Sequence, residues 1–175
     1  MNSQGHIRLL AWIPILLILA GCAPSARLPY SGVQSNHANL MRQAERNATP
    51  AGRRVLETGR RMALDQRVII PGGCWGYVNA VYNKAGYPSH MRKCVFSGRK
   101  GRPPYADTRL IQPGDWLYYS NHSYRGIEHS AIFVAWIDRG RKIALMLSYG
   151  GEGRRQPARY KAYDLRSVYR IDRPR

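Results

Sequence analysis

Cys74 and His129 are the two side chains whose type and setting could make and break a covalent bond. Cys74 follows Gly72-Gly73 and opens a stretch in which Tyr77, Val78, Val81 and Tyr82 recur at helical intervals. A thiol at a helix N-terminus sits among free backbone N–H groups and at the positive end of the helix dipole, which favours the thiolate. The same N–H groups are placed to hydrogen-bond an oxyanion, and the glycines let a substrate carbonyl approach closely. His129 lies 55 positions downstream at the start of a β-like run. An imidazole within reach of a thiol is the minimal cysteine-nucleophile pair. A competing reading ties Cys74 to Cys94 in a disulfide, the natural fate of two cysteines in an exported chain. Cys74, His90, Cys94, His122 and His129 lack paired ligand spacing, so neither a metal nor another cofactor is expected.

These residues need elements to hold them. Thr49-Pro50 reads as an N-cap followed by proline at the first helical position. With Val55, Leu56, Met62, Ala63 and Leu64 in register it predicts a helix over 50–66. A shorter helix is expected over 37–47, and a helix over 74–85 that starts at Cys74 and stops at Gly86. Val68-Ile69-Ile70 reads as a short extended piece broken by Pro71-Gly72-Gly73, and 97–109 as a polar loop. Beyond it come strands over 116–119, 129–137 and 143–148, with a last one drawn from Tyr163 and 168–171. Helices first and antiparallel strands after them make the class α+β.

The chain has 175 residues, 28 Lys+Arg against 10 Asp+Glu, a net charge of +18 and three cysteines. At 44% hydrophobic it can bury one core, which excludes wholesale disorder, and three cysteines exclude a disulfide-dense scaffold. Residues 1–21 read as a secretory signal: Arg8 is the positive region and Leu9 to Ala20 an apolar run short for a membrane span. Leu19-Ala20-Gly21-Cys22 resembles the lipobox of bacterial lipoproteins, which makes Cys22 the acylated residue and several acyl chains a stable membrane anchor. Ala23 in place of an acidic residue favours the outer membrane, facing the periplasm. Cleavage would leave 154 residues (the 175 less the 21 removed), and the loss of Arg8 takes the charge from +18 to +17. Residues 22–36, rich in Pro, Ser and Gly, read as a tether and 37–175 as one monomeric domain. So basic a surface favours an anionic partner. No nucleic-acid-binding signature accompanies it and the export signal leads away from nucleic acid, so an envelope polymer is expected instead.

Three passages together carry a family likeness. Arg54 to Leu64 followed by Gly72-Gly73-Cys74-Trp75-Gly76-Tyr77-Val78 resembles the first half of an NlpC/P60 papain-like domain. Gln112-Pro113-Gly114-Asp115-Trp116-Leu117-Tyr118-Tyr119 is similar to its Pro-Gly-Asp turn and strand, and Glu128-His129-Ser130-Ala131-Ile132-Phe133-Val134 to its histidine strand. Gly73 and Trp75 stand where the family usually carries Asp and Ser. The resemblance spans roughly 50–172 and implies a papain-like fold and a cysteine peptidase or amidase that cuts amide bonds in peptidoglycan stem peptides. Cys74 would be the nucleophile, His129 the general base, and a third polar residue would orient the histidine. If Arg139-Gly140 is a two-residue hairpin turn, Ala131 faces Ser148 on the sheet face of His129, making Ser148 that third residue; a three-residue turn would select Tyr149. The alternative within the same fold is an inactive envelope lipoprotein, with Cys74–Cys94 bonded, that grips the wall or a protein.

Overall fold

Thr49 starts the helix that the sequence places there: its hydroxyl accepts from the Gly52 N–H at 3.1 Å, and Pro50 takes the first helical position. The computed structural model of the chain describes residues 30–175, with side chains from residue 37 onward. The proposed signal and Cys22 lie outside the described residues. Helix α1 spans Tyr30–Asn47, so it begins within the stretch read as a tether. Helix α2 spans Pro50–Arg60 and widens into a π-helical turn over Arg61–Asp65; α3 spans Cys74–Lys84. Among the described residues no helix is long and apolar enough to cross a membrane.

Six strands follow: β1 Arg92–Ser97, β2 Trp116–Asn121, β3 Ile127–Asp138, β4 Ile143–Ser148, β5 Arg159–Asp164 and β6 Val168–Pro174. They form one antiparallel sheet in the order β1-β6-β2-β3-β4-β5. The protein is thus α+β, as its sequence suggests. Its two sheet faces bury different cores. On one, Val55, Leu56, Val78 and Val81 of the helices pack with Ile132, Leu145, Leu147 and Trp116. On the other, Leu117, Tyr119, Ala131, Phe133 and Met146 pack with Tyr163, Leu165 and Ile171. Each buried aliphatic side chain of this kind contributes roughly 1.5–3 kcal/mol relative to exposure.

Two elements differ from the sequence reading. Strand β1 falls on a stretch assigned no structure, because Arg-Lys-Cys-Val-Phe-Ser shows no clean alternation and gains its partner from β6 at the far end of the chain. The single last strand is two, β5 and β6, separated by a turn in which Asp164 binds Arg166. Val68-Ile69-Ile70 forms no strand. The Ile70 backbone is held instead by one side chain: the Tyr149 hydroxyl donates to its carbonyl at 2.8 Å and accepts from its N–H at 3.3 Å.

The β3–β4 hairpin holds a further correction. The turn is wider than two residues: Asp138 pairs with Ile143, and Lys142 takes a left-handed φ of 57°. Two bulges, between Trp136 and Asp138 and between Phe133 and Ala135, each absorb one extra residue of β3. By Ile132↔Leu147 the register is the one that a two-residue turn sets. Ser148 therefore shares a sheet face with His129 although the turn is not the expected one.

Candidate active site

Cys74 owes its position to what precedes α3. Gly73 caps the helix in an extended conformation, φ −108°, and has no side chain to occupy the first-turn N–H groups. Gly72 turns the chain at φ +89°, a conformation that costs glycine little, and its carbonyl accepts from Glu152 N at 3.0 Å. The Tyr149 ring stacks on Tyr77 of α3 at 4.7 Å while its hydroxyl clamps Ile70. The loop after β4 thus fixes both the approach to the thiol and the helix that carries it.

His129 comes from β3, directly across from Tyr119 of β2, and is 9% exposed. Its Nε2 meets Ser148 Oγ at 2.8 Å, and Ser148 Oγ meets the Tyr163 hydroxyl at 2.9 Å. Tyr119 stands edge-on to the imidazole at 5.6 Å and Tyr163 lies tilted at 5.5 Å. The ring is therefore walled by aromatics and bonded at one nitrogen. In the tautomer that carries its proton on Nε2, Ser148 accepts that proton's hydrogen bond, passes its own to Tyr163, and leaves the Nδ1 lone pair as a base.

Cys74, His129, Ser148 and Tyr149 line one groove of about 300 Å³, together with Arg154 and Lys161. Helix α3 packs on one sheet face while His129 and Ser148 follow the parity of the other, and the groove that Cys74 lines together with them lies where α3 begins. The structure brings Cys74, His129 and Ser148 into this one groove. The disulfide of the alternative reading does not form. Cys74 and Cys94 are both free thiols, and Cys94 sits exposed on β1, lining a different groove beside Trp75. Among the described residues no group of three His, Cys, Asp or Glu side chains could hold a metal ion.

The electrostatics of the groove are one-sided. Burial, then Lys161, then Arg154 push the His129 imidazole down to about 4, so it is neutral at pH 7. Among the described residues no carboxylate hydrogen-bonds to it; the Ser148 hydroxyl, itself bonded to Tyr163, orients it instead. The lowered value links to stability. The unfolded histidine binds a proton near 6.5 and the folded one only near 4, so stability is full above the upper value and falls as pH drops through this window, by about 3 kcal/mol in all. Lys161→Gln removes a repelling charge and is expected to raise the His129 value, read from the pH titration of its ring Cε1–H by NMR. An unchanged midpoint would show that Lys161 does not act on the imidazole.

No family model, curated protein or solved structure matches this chain. The chemistry of the site rests on its own geometry. The groove that holds Cys74, His129 and Ser148 also takes in Tyr163, Lys161 and Arg154, which the sequence does not single out. The alternation of Arg159, Lys161 and Tyr163 along β5 is the signal that places three such side chains on one face next to β4.

Proposed function

We propose that this protein is a papain-like cysteine hydrolase of the NlpC/P60 type that cleaves amide bonds in peptidoglycan stem peptides. The observation that carries the reading is the convergence of Cys74, His129 and Ser148, from three separate elements, on one groove with a cationic rim. In the reaction, His129 Nδ1 takes the Cys74 thiol proton as the sulfur attacks the amide carbonyl. First-turn N–H groups of α3 hydrogen-bond the oxyanion. Collapse breaks the C–N bond, and the imidazolium gives its proton to the leaving amine. Water, deprotonated by His129, then hydrolyses the thioester and restores the thiol.

Arg154 and Lys161 weaken His129 as a base in the free protein. A substrate carboxylate lying against them offsets their charge and strengthens the base as it binds, which links activity to an anionic substrate. Stem peptides carry such carboxylates, and the large basic excess, +17 once residues 1–21 are removed, draws the protein to the polymer that bears them. The resemblance of residues 19–22 to a lipobox supports a lipid anchor at Cys22 and an outer-membrane site of action. Incubation of the protein with isolated cell wall, followed by mass spectrometry of the soluble fraction, is expected to yield peptides ended by a newly hydrolysed amide. An unaltered wall would refute the reading.

A further inference from the structure

A second groove, of about 400 Å³, opens beside α3's first turn; the thiol lines the first groove and not this one. Trp75, the residue after Cys74, forms one wall and is 54% exposed. Across it, neighbouring strands β1, β6 and β2 present Arg92, Arg170, Asp172, Trp116 and Tyr118. Arg170 is neutralised in place, its Nε 3.0 Å from the Asp172 carboxylate. Arg92 is not: among the described residues no carboxylate lies within ion-pair distance of it. Its Nε donates to Tyr87 O, and its two terminal nitrogens donate to Asn79 Oδ1 and Asn83 Oδ1, all neutral acceptors. A guanidinium has five N–H groups, so one remains on each terminal nitrogen. The rings of Tyr82 and Trp116, at 5.1 and 5.3 Å, hold the guanidinium plane, and Trp116 stacks in turn on Tyr118 at 5.2 Å. Burial pushes the Arg92 group below its ordinary value by more than the Asp172 carboxylate, which lines the same groove but is bonded to Arg170, raises it. A part-buried cation with spare donors and a half-exposed indole beside it suits an anion joined to an apolar body.

We propose that this groove binds a peptide carboxylate: Arg92 takes the carboxylate and Trp75 covers the adjoining aliphatic part of the same residue. The assignment rests on the hydrolase reading, in that it makes the groove a substrate subsite one residue from the nucleophile, and it names the carboxylate as what orients the stem across Cys74. No bond is made or broken there.

The test uses N-acetyl-D-alanine, a stem-peptide end in its smallest form, with its amide N-acetyl-D-alaninamide and inorganic phosphate as comparisons. Each is titrated into the Cys74→Ala protein while the Trp75 indole and Arg92 Nε–H signals are followed by NMR. The acid is expected to bind at least tenfold more tightly than the amide. Arg92→Gln should erase that preference, and Trp75→Ala, a surface change that leaves the fold intact, should weaken the acid severalfold. Equal binding of acid and amide, tighter binding of phosphate than of the acid, or indifference to Trp75→Ala would each overturn the assignment. The acid preference together with an uncut wall would sink the hydrolase reading while the carboxylate site stands. A cut wall without the preference would do the reverse.

Discussion

Cys74→Ala is expected to abolish release of stem-peptide fragments from isolated wall, by about 10⁴-fold or more, because the acyl-enzyme route loses its only nucleophile. His129→Ala should cost about 10²–10⁴-fold, the usual contribution of a positioned base. The two together should cost little more than Cys74→Ala alone, since the pair acts as a unit. Far-UV circular dichroism should show both variants folded: Cys74 is only partly buried, and the aromatics beside His129 contact one another without it, Tyr119 and Tyr163 lying 5.6 Å apart. Fragment release that survives Cys74→Ala would move the chemistry elsewhere.

The second large effect concerns the Pro-Gly-Asp turn before β2. Gly114 adopts φ +93°, and a Cβ there would lie 2.5 Å from the Gly52 Cα in α2. Gly52 is equally tight, its own Cβ position falling 2.4 Å from the Pro113 carbonyl oxygen. The turn and the start of α2 are therefore pressed backbone to backbone. The Gly114 carbonyl accepts from the buried Tyr82 hydroxyl of α3 at 2.7 Å, so the same turn steadies the helix that carries Cys74. Asp115, 1% exposed, is bracketed by Arg173 at 2.7 and 2.8 Å and by Gln112 N. Gly114→Val combines left-handed strain with a clash that neither backbone can relieve, and should destabilise the fold by about 4 kcal/mol or more. Urea denaturation measures it; a loss below about 1 kcal/mol would mean that the α2–turn contact is not tight.

Much of this architecture is written locally in the chain. The Thr49-Pro50 cap, the stop at Gly86 and the alternation of β3 and β4 are short-range signals, and they set Cys74 and His129 at element ends. Ser148 was reachable only through strand register, and there a wider turn and two bulges cancel each other, which no local pattern reveals. What stayed hidden is long-range. The Tyr149 clamp on Ile70 spans 79 positions, and strand β1 depends on β6 at the other end of the fold. Tyr163 becomes part of the site only because β5 pairs with β4 and its hydroxyl reaches Ser148. The charge around His129 is visible in the sequence as a basic excess, but its concentration on one groove follows from β5, which carries Lys161, and from the loop before it, which carries Arg154.

The most direct test of the thiol–imidazole pair is a competition between the two free cysteines of the folded domain. Cys94 is exposed and Cys74 only partly so, so accessibility alone makes Cys94 react first. With limiting iodoacetamide near neutral pH, peptide mass spectrometry should find Cys74 alkylated ahead of Cys94, and His129→Ala should reverse that order. Cys94 reacting first in the unaltered protein, with His129→Ala changing nothing, would contradict the account.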